Sequence, residues 1–377
     1  METVKTIGIV GGGQLGRMLT LAAVPLGFRV IVVNPAANSP AAQVGATEIV
    51  GDLYDPLVLQ RLADEADYIT VEIEHLDASA LEKIASLGTP VNPAPHTIRL
   101  IQDKFRQKEF LQKAGIPVAP FSDVQDPAHA KEVLQHFGGT MIIKARHGAY
   151  DGRGNAVVKS AADLSRALGQ FEGRQLYAEQ VIPFKKELAV MVARSTTGEV
   201  QAYPIVETVH KRNICVETYT PAAITDTEER RARAVAMQVA EHLQGAGVFG
   251  IEMFLTQDGQ VLVNEIAPRV HNSGHYTMDA CRVSQFEQHI RAITGLPLGN
   301  AELIVPAAVM INILGERDGA TDVQGLDEAL KVPHTSVHMY GKSPTKVDRK
   351  MGHITATGAT LTQAKTRARK ARKRLSI

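Results

Sequence analysis

Strand-like and helix-like segments alternate through the first ninety residues, and this alternation constrains the fold more than any other feature of the chain. Short apolar runs rich in β-branched residues predict strands, and amphipathic runs between them predict helices. The predicted strands are Lys5–Val10, Phe28–Asn34 and Asp67–Ile73, and the predicted helices are Gln14–Leu26, Asp55–Ala66 and Ala78–Leu87. Because strands that alternate with helices form parallel sheets covered on both faces, we expect a Rossmann-like N-terminal domain.

The texture of the sequence changes after a long predicted helix, His96–Ala114, which Gly115-Ile116-Pro117 would end. A mixture of strands and helices follows. Strands are predicted at Thr140–Lys144, Asn155–Lys159, Gln175–Ile182, Glu187–Ala193, Glu199–Glu207, Ala308–Leu314 and His353–Thr357, and a helix at Thr227–Leu243. The prediction is an α/β protein with a Rossmann-like domain at 1–118, a central α+β domain at 119–300 and a small C-terminal α+β domain at 301–377.

Composition excludes several classes of protein. The chain has 41 Lys and Arg against 40 Asp and Glu, whereas a nucleic-acid-binding domain is usually strongly basic. The basic run Lys365–Arg374 is more typical of a solvated helix face. No apolar run reaches the roughly 18 residues of a membrane helix, and the N-terminus lacks a signal-peptide pattern. Two cysteines fit a reducing compartment. We therefore expect a cytoplasmic enzyme with no membrane or nucleic-acid partner.

Two glycine motifs suggest phosphate binding, but neither is complete. Gly11-x-Gly13-x-x-Gly16 lies between a predicted strand and helix, as in dinucleotide-binding folds. Such folds also use an acidic residue at the end of the second strand, and here that strand ends at Asn34. NAD is therefore disfavoured, although another phosphate-bearing ligand stays open. The second motif, around Lys342, lacks the upstream glycine of a P-loop and by pattern alone is a surface turn.

Two carboxylates are predicted to face each other near residue 260. Apolar runs flank Asp258-Gly259, a dipeptide typical of two-residue hairpin turns, and such a turn sets Glu252 directly opposite Glu265. Like charges in this arrangement destabilise a sheet. Either one carboxylate is protonated, or a hard cation such as Mg²⁺ lies between them, or both side chains reach solvent at a sheet edge.

A lysine and a glycine-rich loop add a second phosphate-binding feature. Lys144 ends a buried-looking strand, and Gly148, Gly152 and Gly154 lie in the loop that follows. Such a loop can direct several backbone N–H groups at one anion, while the lysine supplies a point charge. Together with paired carboxylates, these features favour nucleotide phosphoryl transfer without a Walker motif.

Three signatures resemble the ATP-grasp superfamily and, within it, the N5-carboxyaminoimidazole ribonucleotide synthetases of purine biosynthesis. They are the segment Gly11–Met18, the pair formed by Lys144 and Tyr150–Gly154, and the segment Asn264–His275. The resemblance implies that ATP and bicarbonate form carboxyphosphate, and that 5-aminoimidazole ribonucleotide captures the resulting carbon dioxide. It also implies a pre-ATP-grasp N-terminal domain and a central ATP-grasp domain.

The resemblance assigns roles residue by residue. ATP would contact Lys104, Lys144, Tyr150, Asp151, Gly152, Arg153, Gly154, Glu179, Gln180, Val181, Ile182, Glu187, His210, Asn264 and Glu265. The other substrates would contact Gln14, Leu15, Tyr150, Asp151, Arg153, Asn272, Ser273, Lys342, Arg349 and Lys350. Arg269, His271 and Lys350 would be catalytic, with His271 exchanging a proton at an ordinary pKa near roughly 6.5. Glu252 and Glu265 would hold Mg²⁺, with two ions expected.

The resemblance further implies a homodimer and a functional partnership with a carboxylase or mutase domain, to which related fungal chains are fused. Three other readings stay open. The first is an NAD-dependent oxidoreductase that uses the N-terminal glycine loop. The second is an ATP-grasp enzyme with another acceptor, such as a formate-using glycinamide ribonucleotide transformylase. The third is a non-catalytic ATP-binding scaffold, which would not need Arg269 and His271.

Overall fold

A computed structural model of the chain describes residues 4–148 and 154–377. The N-terminal part is a four-stranded parallel sheet in the order β3-β2-β1-β4, flanked by helices. Its elements are β1 (Thr6–Val10), α1 (Gln14–Ala23), β2 (Arg29–Asn34), β3 (Thr47–Val50), α2 (Pro56–Glu65), β4 (Tyr68–Val71) and α3 (Ala78–Ser86). The predicted parallel sheet is confirmed. The edge strand β3 was not predicted, because a segment of four residues with one buried side chain carries little apolar signal.

The single helix predicted from His96 to Ala114 is wrong. The segment forms two helices, α4 (Pro95–Gln102) and α5 (Lys104–Lys113), separated by Asp103 in an extended conformation. The Asp103 carboxylate accepts hydrogen bonds from the backbone N–H groups of Phe105 and Arg106. It therefore caps α5 and starts a new helix in the middle of the predicted one.

A four-stranded antiparallel sheet, in the order β5-β8-β6-β7, follows. Helices α6 and α7 pack on it around a core of their own. The elements are β5 (Phe121–Val124), α6 (Pro127–His136), β6 (Met141–Ala145), β7 (Asn155–Val158), α7 (Ala161–Gln170) and β8 (Leu176–Gln180). Val181 and Ile182, which were predicted to belong to the last of these strands, lie beyond its end.

The rest of the chain builds a nine-stranded sheet in the order β14-β13-β9-β11-β12-β15-β17-β16, with β10 paired to β9. Its first elements are β9 (Phe184–Arg194), β10 (Val200–Ala202), β11 (Val206–Lys211), β12 (Ile214–Thr220), α8 (Asp226–His242), β13 (Gly247–Thr256), β14 (Val261–Ala267), α9 (Thr277–Ala280) and α10 (Gln285–Thr294). The strand predicted at Glu199–Glu207 is wrong. It is two strands, because Pro204 lies between them and cannot donate to a ladder.

The C-terminal segment extends this same sheet. It contributes β15 (Ala307–Leu314), α11 (Leu326–Leu330), β16 (Thr335–Met339), β17 (Lys350–Gly358) and α12 (Leu361–Arg372). The basic helix α12 packs on the sheet through Ala364 and Ala368, and ion pairs also join Arg369 to Glu217 at 2.9 Å and Arg372 to Glu316 at 2.8 Å. The predicted α/β class with its three parts is confirmed, whereas the boundaries at residues 118 and 300 stay predictions.

The two faces of the large sheet have different neighbours. Leu188 and Val190 of β9 pack in a core with α8, while Ala189 and Met191 pack in another core with α10 and α1. Among residues 4–148 and 154–377, none of the helices is both long enough and apolar enough to cross a membrane. The face that carries Ala189 and Met191 is lined by polar side chains beyond the part that α10 covers. The candidate site lies on this polar part of the face.

Candidate active site

Glu252 and Glu265 lie directly opposite each other on β13 and β14, as the sequence predicted. The turn, however, has three residues rather than two, because Thr256 and Gln260 close it and Gly259 takes a left-handed conformation with a φ of +78°. This shifts the ladder by one residue. A β-bulge at Asn264, which has no opposite residue, then restores the predicted pairing.

The two carboxylates differ in their surroundings. The Glu252 side chain is 25% exposed, and burial together with the charge of Glu265 raises the pKa of Glu252 to about 7. Glu265 is more open and accepts a hydrogen bond from Lys104 Nζ at 2.8 Å. Two facing carboxylates, one of which resists ionisation in the absence of a cation, are oxygen donors of the kind that Mg²⁺ prefers. The residues present therefore fit a divalent cation.

Two lysines, one buried and one half-buried, meet at the carboxylate of Glu179. Lys144, near the end of β6, lies 3.2 Å from Glu179 Oε1, and Lys108 lies 3.2 Å from Glu179 Oε2. Burial lowers the pKa of Lys108, and although burial opposes ionisation of Glu179, the two lysines hold the pKa of Glu179 below its ordinary value. Sequence reasoning missed Lys108. Its spacing of one helical turn from Lys104 on α5 was the available signal.

Glu187 and His210 form a second polar pair on neighbouring strands. Glu187 lies two residues before Ala189, which pairs with Glu252, so all three share one face of the sheet. His210 Nδ1 lies 2.5 Å from Glu187 Oε2. Burial alone would lower the pKa of His210, but the hydrogen bond and charge of Glu187 raise it. The pair can hold hydroxyl groups beside the carboxylates.

The glycine-rich loop is described only in part. Tyr150, Asp151, Gly152 and Arg153 lie outside the described residues. Gly154 has a φ of +93°, and its carbonyl accepts a hydrogen bond of 2.8 Å from the backbone of the last residue of β6. Of the other residues assigned to ATP, Gln180 ends β8, while Val181 and Ile182 lie in the connection that leads into β9.

Arg269 is held by a residue that sequence reasoning did not single out. Glu74, in the connection after β4, accepts hydrogen bonds from Arg269 Nε at 2.6 Å and from Nη2 at 3.0 Å. Burial opposes ionisation of Glu74, but Arg269 lowers its pKa to about 2. The two residues are 195 positions apart, so nothing in the local sequence joined them.

His271 is neutral, which corrects the expectation that it titrates near 6.5. Burial, with the charges of Arg269 and Lys350, lowers the pKa of His271 to about 3. Its Nδ1 accepts from the Ser273 backbone N–H and lies 2.8 Å from Ser273 Oγ. The proton is therefore on Nε2, which lies 3.7 Å from Glu252 Oε1. His271 is thus placed as a hydrogen-bond donor.

Asn272 and Ser273 are buried, with 6% and 1% of their surfaces exposed. Asn272 exchanges reciprocal amide hydrogen bonds with Asn312 on β15, at 2.9 and 2.6 Å. Ser273 contacts His271. In this structure both side chains bond within the protein and support the loop around His271, and their contacts with a substrate stay predictions.

The predicted acceptor residues come from the two ends of the chain. Lys342 Nζ lies 2.5 Å from Gln14 Oε1 and 2.9 Å from the carbonyl of Lys350. Lys350 is close enough for its charge to act on both sides of the pair: it partly offsets the rise in the pKa of Glu252 and adds to the fall in the pKa of His271. The side chain of Leu15, by contrast, is packed in the hydrophobic core.

Arg349 is also in this region, and its Nη1 donates to the carbonyl of Pro344 at 2.5 Å. The structure therefore brings Gln14 and Lys342 together with Lys350, whose charge acts on Glu252, and Arg349 lies next to Lys350 in the chain.

Comparison with known proteins identifies the architecture. Profiles of three domains match in order: the ribonucleotide synthetase preATP-grasp domain at residues 4–102, the ATP-grasp domain at 109–286 and the phosphoribosylaminoimidazole carboxylase C-terminal domain at 308–367. The N5-carboxyaminoimidazole ribonucleotide synthase of Bacillus subtilis is 40% identical over 349 residues, which cover 93% of this chain and 90% of that protein. The chain belongs to the N5-carboxyaminoimidazole ribonucleotide synthase family.

Five yeast relatives of this synthase family are longer than this chain. The phosphoribosylaminoimidazole carboxylase of Ogataea methanolica is 46% identical over 371 residues, which cover 96% of this chain but 68% of that protein. The chain spans about two-thirds of the length of such relatives, from 63% to 68% among five yeasts.

Solved structures of the family resemble this chain over its whole length. The synthetase of Thermotoga maritima is 45% identical with a TM-score of 0.90, and the match covers 99% of each chain. The synthase of Aspergillus clavatus, solved with ADP and 5-aminoimidazole ribonucleotide, is 39% identical with a TM-score of 0.91, and the match covers 99% of this chain and 100% of that one. The chain is therefore an ATP-grasp ligase by family, which contradicts the NAD-dependent alternative.

The N-terminal glycine loop of this synthase family member gives a physical reason for that outcome. Glu72, at the end of β4, accepts hydrogen bonds from the backbone N–H groups of Gly13 and Gly16, the latter at 2.6 Å. A dinucleotide would place its pyrophosphate on these groups. Here a carboxylate of the protein already takes the position, and burial raises the pKa of Glu72. Sequence reasoning missed this acidic residue because it sought one on β2.

Proposed function

We propose that the chain joins bicarbonate to 5-aminoimidazole ribonucleotide at the expense of ATP, with N5-carboxyaminoimidazole ribonucleotide, ADP and phosphate as products. One observation carries the proposal. The facing carboxylates touch Lys104 on the nucleotide side, where Glu265 is 2.8 Å away, and His271 on the other side, where Glu252 is 3.7 Å away. Lys104, which we assign to the nucleotide, and His271, which we assign to the carboxylation step, thus contact the same pair of carboxylates.

The nucleotide half of the site follows from this pair. We assign Lys104 and Lys144 to the phosphates, and Glu187 with His210 to the ribose hydroxyls. Glu252 and Glu265 would hold the metal, for which we propose two Mg²⁺ ions. When bound, Mg²⁺ would offset the negative charge of the triphosphate.

The chemical steps require positive charge and the exclusion of water on the His271 side of the Glu252–Glu265 pair. An oxygen of bicarbonate attacks the γ-phosphorus, the bond to the bridging oxygen breaks, and ADP leaves with that electron pair. Carboxyphosphate then separates into carbon dioxide and phosphate, and the acceptor amine forms the new N–C bond and loses a proton. Arg269 and Lys350 supply positive charge, and His271 donates a hydrogen bond from Nε2. Such groups stabilise developing charge best where water is excluded.

The acceptor would lie between the two ends of the chain. We assign Gln14 to its sugar, and Lys342 with Arg349 to its 5′-phosphate, because a lysine and an arginine from one segment are suited to a phosphate group. Tyr150, Asp151 and Arg153 are assigned to both ATP and the acceptor from the resemblance alone.

The test is the dependence of ADP release on both co-substrates. With Mg·ATP present, we expect ADP release to need bicarbonate together with 5-aminoimidazole ribonucleotide, and the carboxylated product to form in equal amount. Glycinamide ribonucleotide with formate serves as the competing pair. ADP release that depends on formate, or that ignores both acceptors, would contradict the proposal and favour the transformylase or the scaffold reading.

We also propose that the enzyme acts as a homodimer in the cytoplasm and hands its product to a carboxylase or mutase. The added length of the yeast carboxylases supports such a partnership. The two free cysteines, both buried, are compatible with a reducing compartment. Sedimentation equilibrium of the purified chain tests the dimer.

A further inference from the structure

The Glu74–Arg269 pair joins the N-terminal segment to the candidate site. The side chains are 10% and 18% exposed, and the guanidinium and the carboxylate meet through two parallel hydrogen bonds. Paired bonds of this kind fix orientation as well as distance. The position of the Arg269 fork is therefore set by a residue on another part of the chain.

Counting the donors of Arg269 shows what this pairing leaves for a ligand. A guanidinium has five N–H donors. Glu74 takes those of Nε and one of Nη2, and the carbonyl of Val270 takes one of Nη1 at 3.2 Å. The two remaining N–H groups are on Nη1 and Nη2. An oxyanion can therefore accept hydrogen bonds only from these two outer N–H groups, and Glu74 fixes their orientation.

Glu74 is itself held in place. Gln102 Nε2 donates to the backbone carbonyls of Glu74 and Leu76, at 2.7 and 2.8 Å. Two residues earlier, Glu72 bonds to the N-terminus of α1, beside Gln14. One short segment therefore bonds to Gly13 and Gly16, on either side of the proposed acceptor residue Gln14, and to the proposed catalytic arginine.

We propose that Glu74 is a positioning residue. It orients the outer N–H groups of Arg269 toward bicarbonate and carboxyphosphate, and it couples this orientation to the acceptor side of the cleft. The proposal rests on the proposed function. It differs from a role in folding alone, because loss of aim should change how bicarbonate is used while the nucleotide half of the site is intact.

The variant Glu74→Gln keeps the shape of the side chain but cannot offer two acceptor oxygens to the fork. We expect an unchanged Mg·ATP affinity by calorimetry, a bicarbonate KM raised about tenfold or more, and ADP formed in excess of carboxylated product, since small misplacements of a reacting group can cost up to about 100-fold. The control is Glu82→Gln, which breaks an exposed pair with Arg99 and should leave all three quantities within about twofold.

Glu74→Asp retains the charge on a shorter stem and should give a smaller effect than Glu74→Gln. It also replaces Glu74→Gln as the test if that variant fails to bind Mg·ATP. The further variant Arg269→Lys removes the fork, so adding Glu74→Gln to it should cost less than adding Glu74→Gln to the parent. A folded Glu74→Gln or Glu74→Asp protein with parental bicarbonate KM and product ratio would overturn the proposal.

The parent is measured first, with bicarbonate and 5-aminoimidazole ribonucleotide. Loss of acceptor-dependent ADP release there contradicts the proposed function, whereas normal release in parent and variants alike contradicts only the role of Glu74.

Discussion

Glu252 and Glu265 lie opposite each other on adjacent strands, and burial of Glu252 together with the charge of Glu265 raises the pKa of Glu252 to about 7. In the absence of a cation the pair is therefore a source of instability at neutral pH. A bound cation would remove the repulsion, so the two carboxylates couple metal binding to stability.

The stability of the metal-free protein should fall as the pH rises from about 4.5 to about 7. The pKa of Glu252 is higher in the folded state than its ordinary 4.5, so the folded state binds its proton more tightly and loses that advantage as the pH passes 7. The rise in the pKa of Glu252 corresponds to a change of at most about 3 kcal/mol in the free energy of unfolding. Glu252→Gln should remove this part of the pH dependence, as measured by urea unfolding at pH 5 and pH 8 in the presence of a chelator.

Added Mg²⁺ should stabilise the parent at pH 8 and should stabilise Glu252→Gln much less. Glu82→Gln serves as the surface control. If Glu252→Gln and the parent show the same pH dependence and the same response to Mg²⁺, the carboxylate pair is not the metal site.

Glu187→Gln should lower the pKa of His210, because the hydrogen bond and charge of Glu187 are what raise it against the effect of burial. An NMR titration of the histidine ring protons measures this, and His242, exposed on α8, provides an internal reference. The same variant should weaken ATP binding if Glu187 holds the ribose. An unchanged His210 titration would mean that the two side chains are not in contact in solution.

Loss of Lys108 should be far more damaging than loss of a surface lysine. Lys108→Met leaves Glu179 with one partner in a dry environment, and breaking a buried pair typically costs about 3–5 kcal/mol. Because Lys144 still contacts Glu179, we expect a value near the lower end, from urea unfolding. The double variant Lys108→Met/Glu179→Leu should recover part of the loss. Lys5→Met, which breaks an exposed pair with Asp67, is the control and should change little.

His271→Gln should retain more activity than His271→Ala. A neutral donor at Nε2 can be replaced in part by an amide, whereas a proton-transferring imidazole cannot. We expect a loss of about 10²–10³ in kcat for the alanine variant, typical for removal of one directed donor, and a clearly smaller loss for glutamine. Equal losses of kcat in the two variants would indicate that His271 acts as an acid or base. An inflection in the pH–rate profile of the parent that is absent from His271→Gln would indicate the same.

The sequence allowed the elements with long-range regularity to be predicted. The alternation of strands and helices gave the parallel sheet, and the motif at Asn264–His275 gave the family. The predicted pairing of Glu252 with Glu265 was also correct, but two differences from the prediction cancel. The turn is one residue longer than predicted, which shifts the register, and the extra residue Asn264 on β14 shifts it back. A bulge has no signature in a single sequence, so the agreement could not have been foreseen from the turn.

The distant partners that make two residues important could not be predicted from the sequence. Glu74 and Lys108 are significant because of Arg269 and Glu179, which are far away in the chain. The break at Asp103 was readable in principle, since aspartate followed by a helical run is a capping signal. The sequence analysis nevertheless predicted one helix, and no glycine or proline interrupts the segment from His96 to Ala114.

The contact between Gln14 and Lys342 joins positions 328 residues apart. The pocket that would recognise the acceptor thus closes only when the first and last quarters of the chain meet, with the nucleotide machinery folded between them. A change of acceptor would therefore require coordinated substitutions in the first and last quarters of the chain, in addition to those at the central residues assigned to the acceptor. Transfer of the nucleotide-binding segment alone to another protein would leave Gln14 and Lys342 behind.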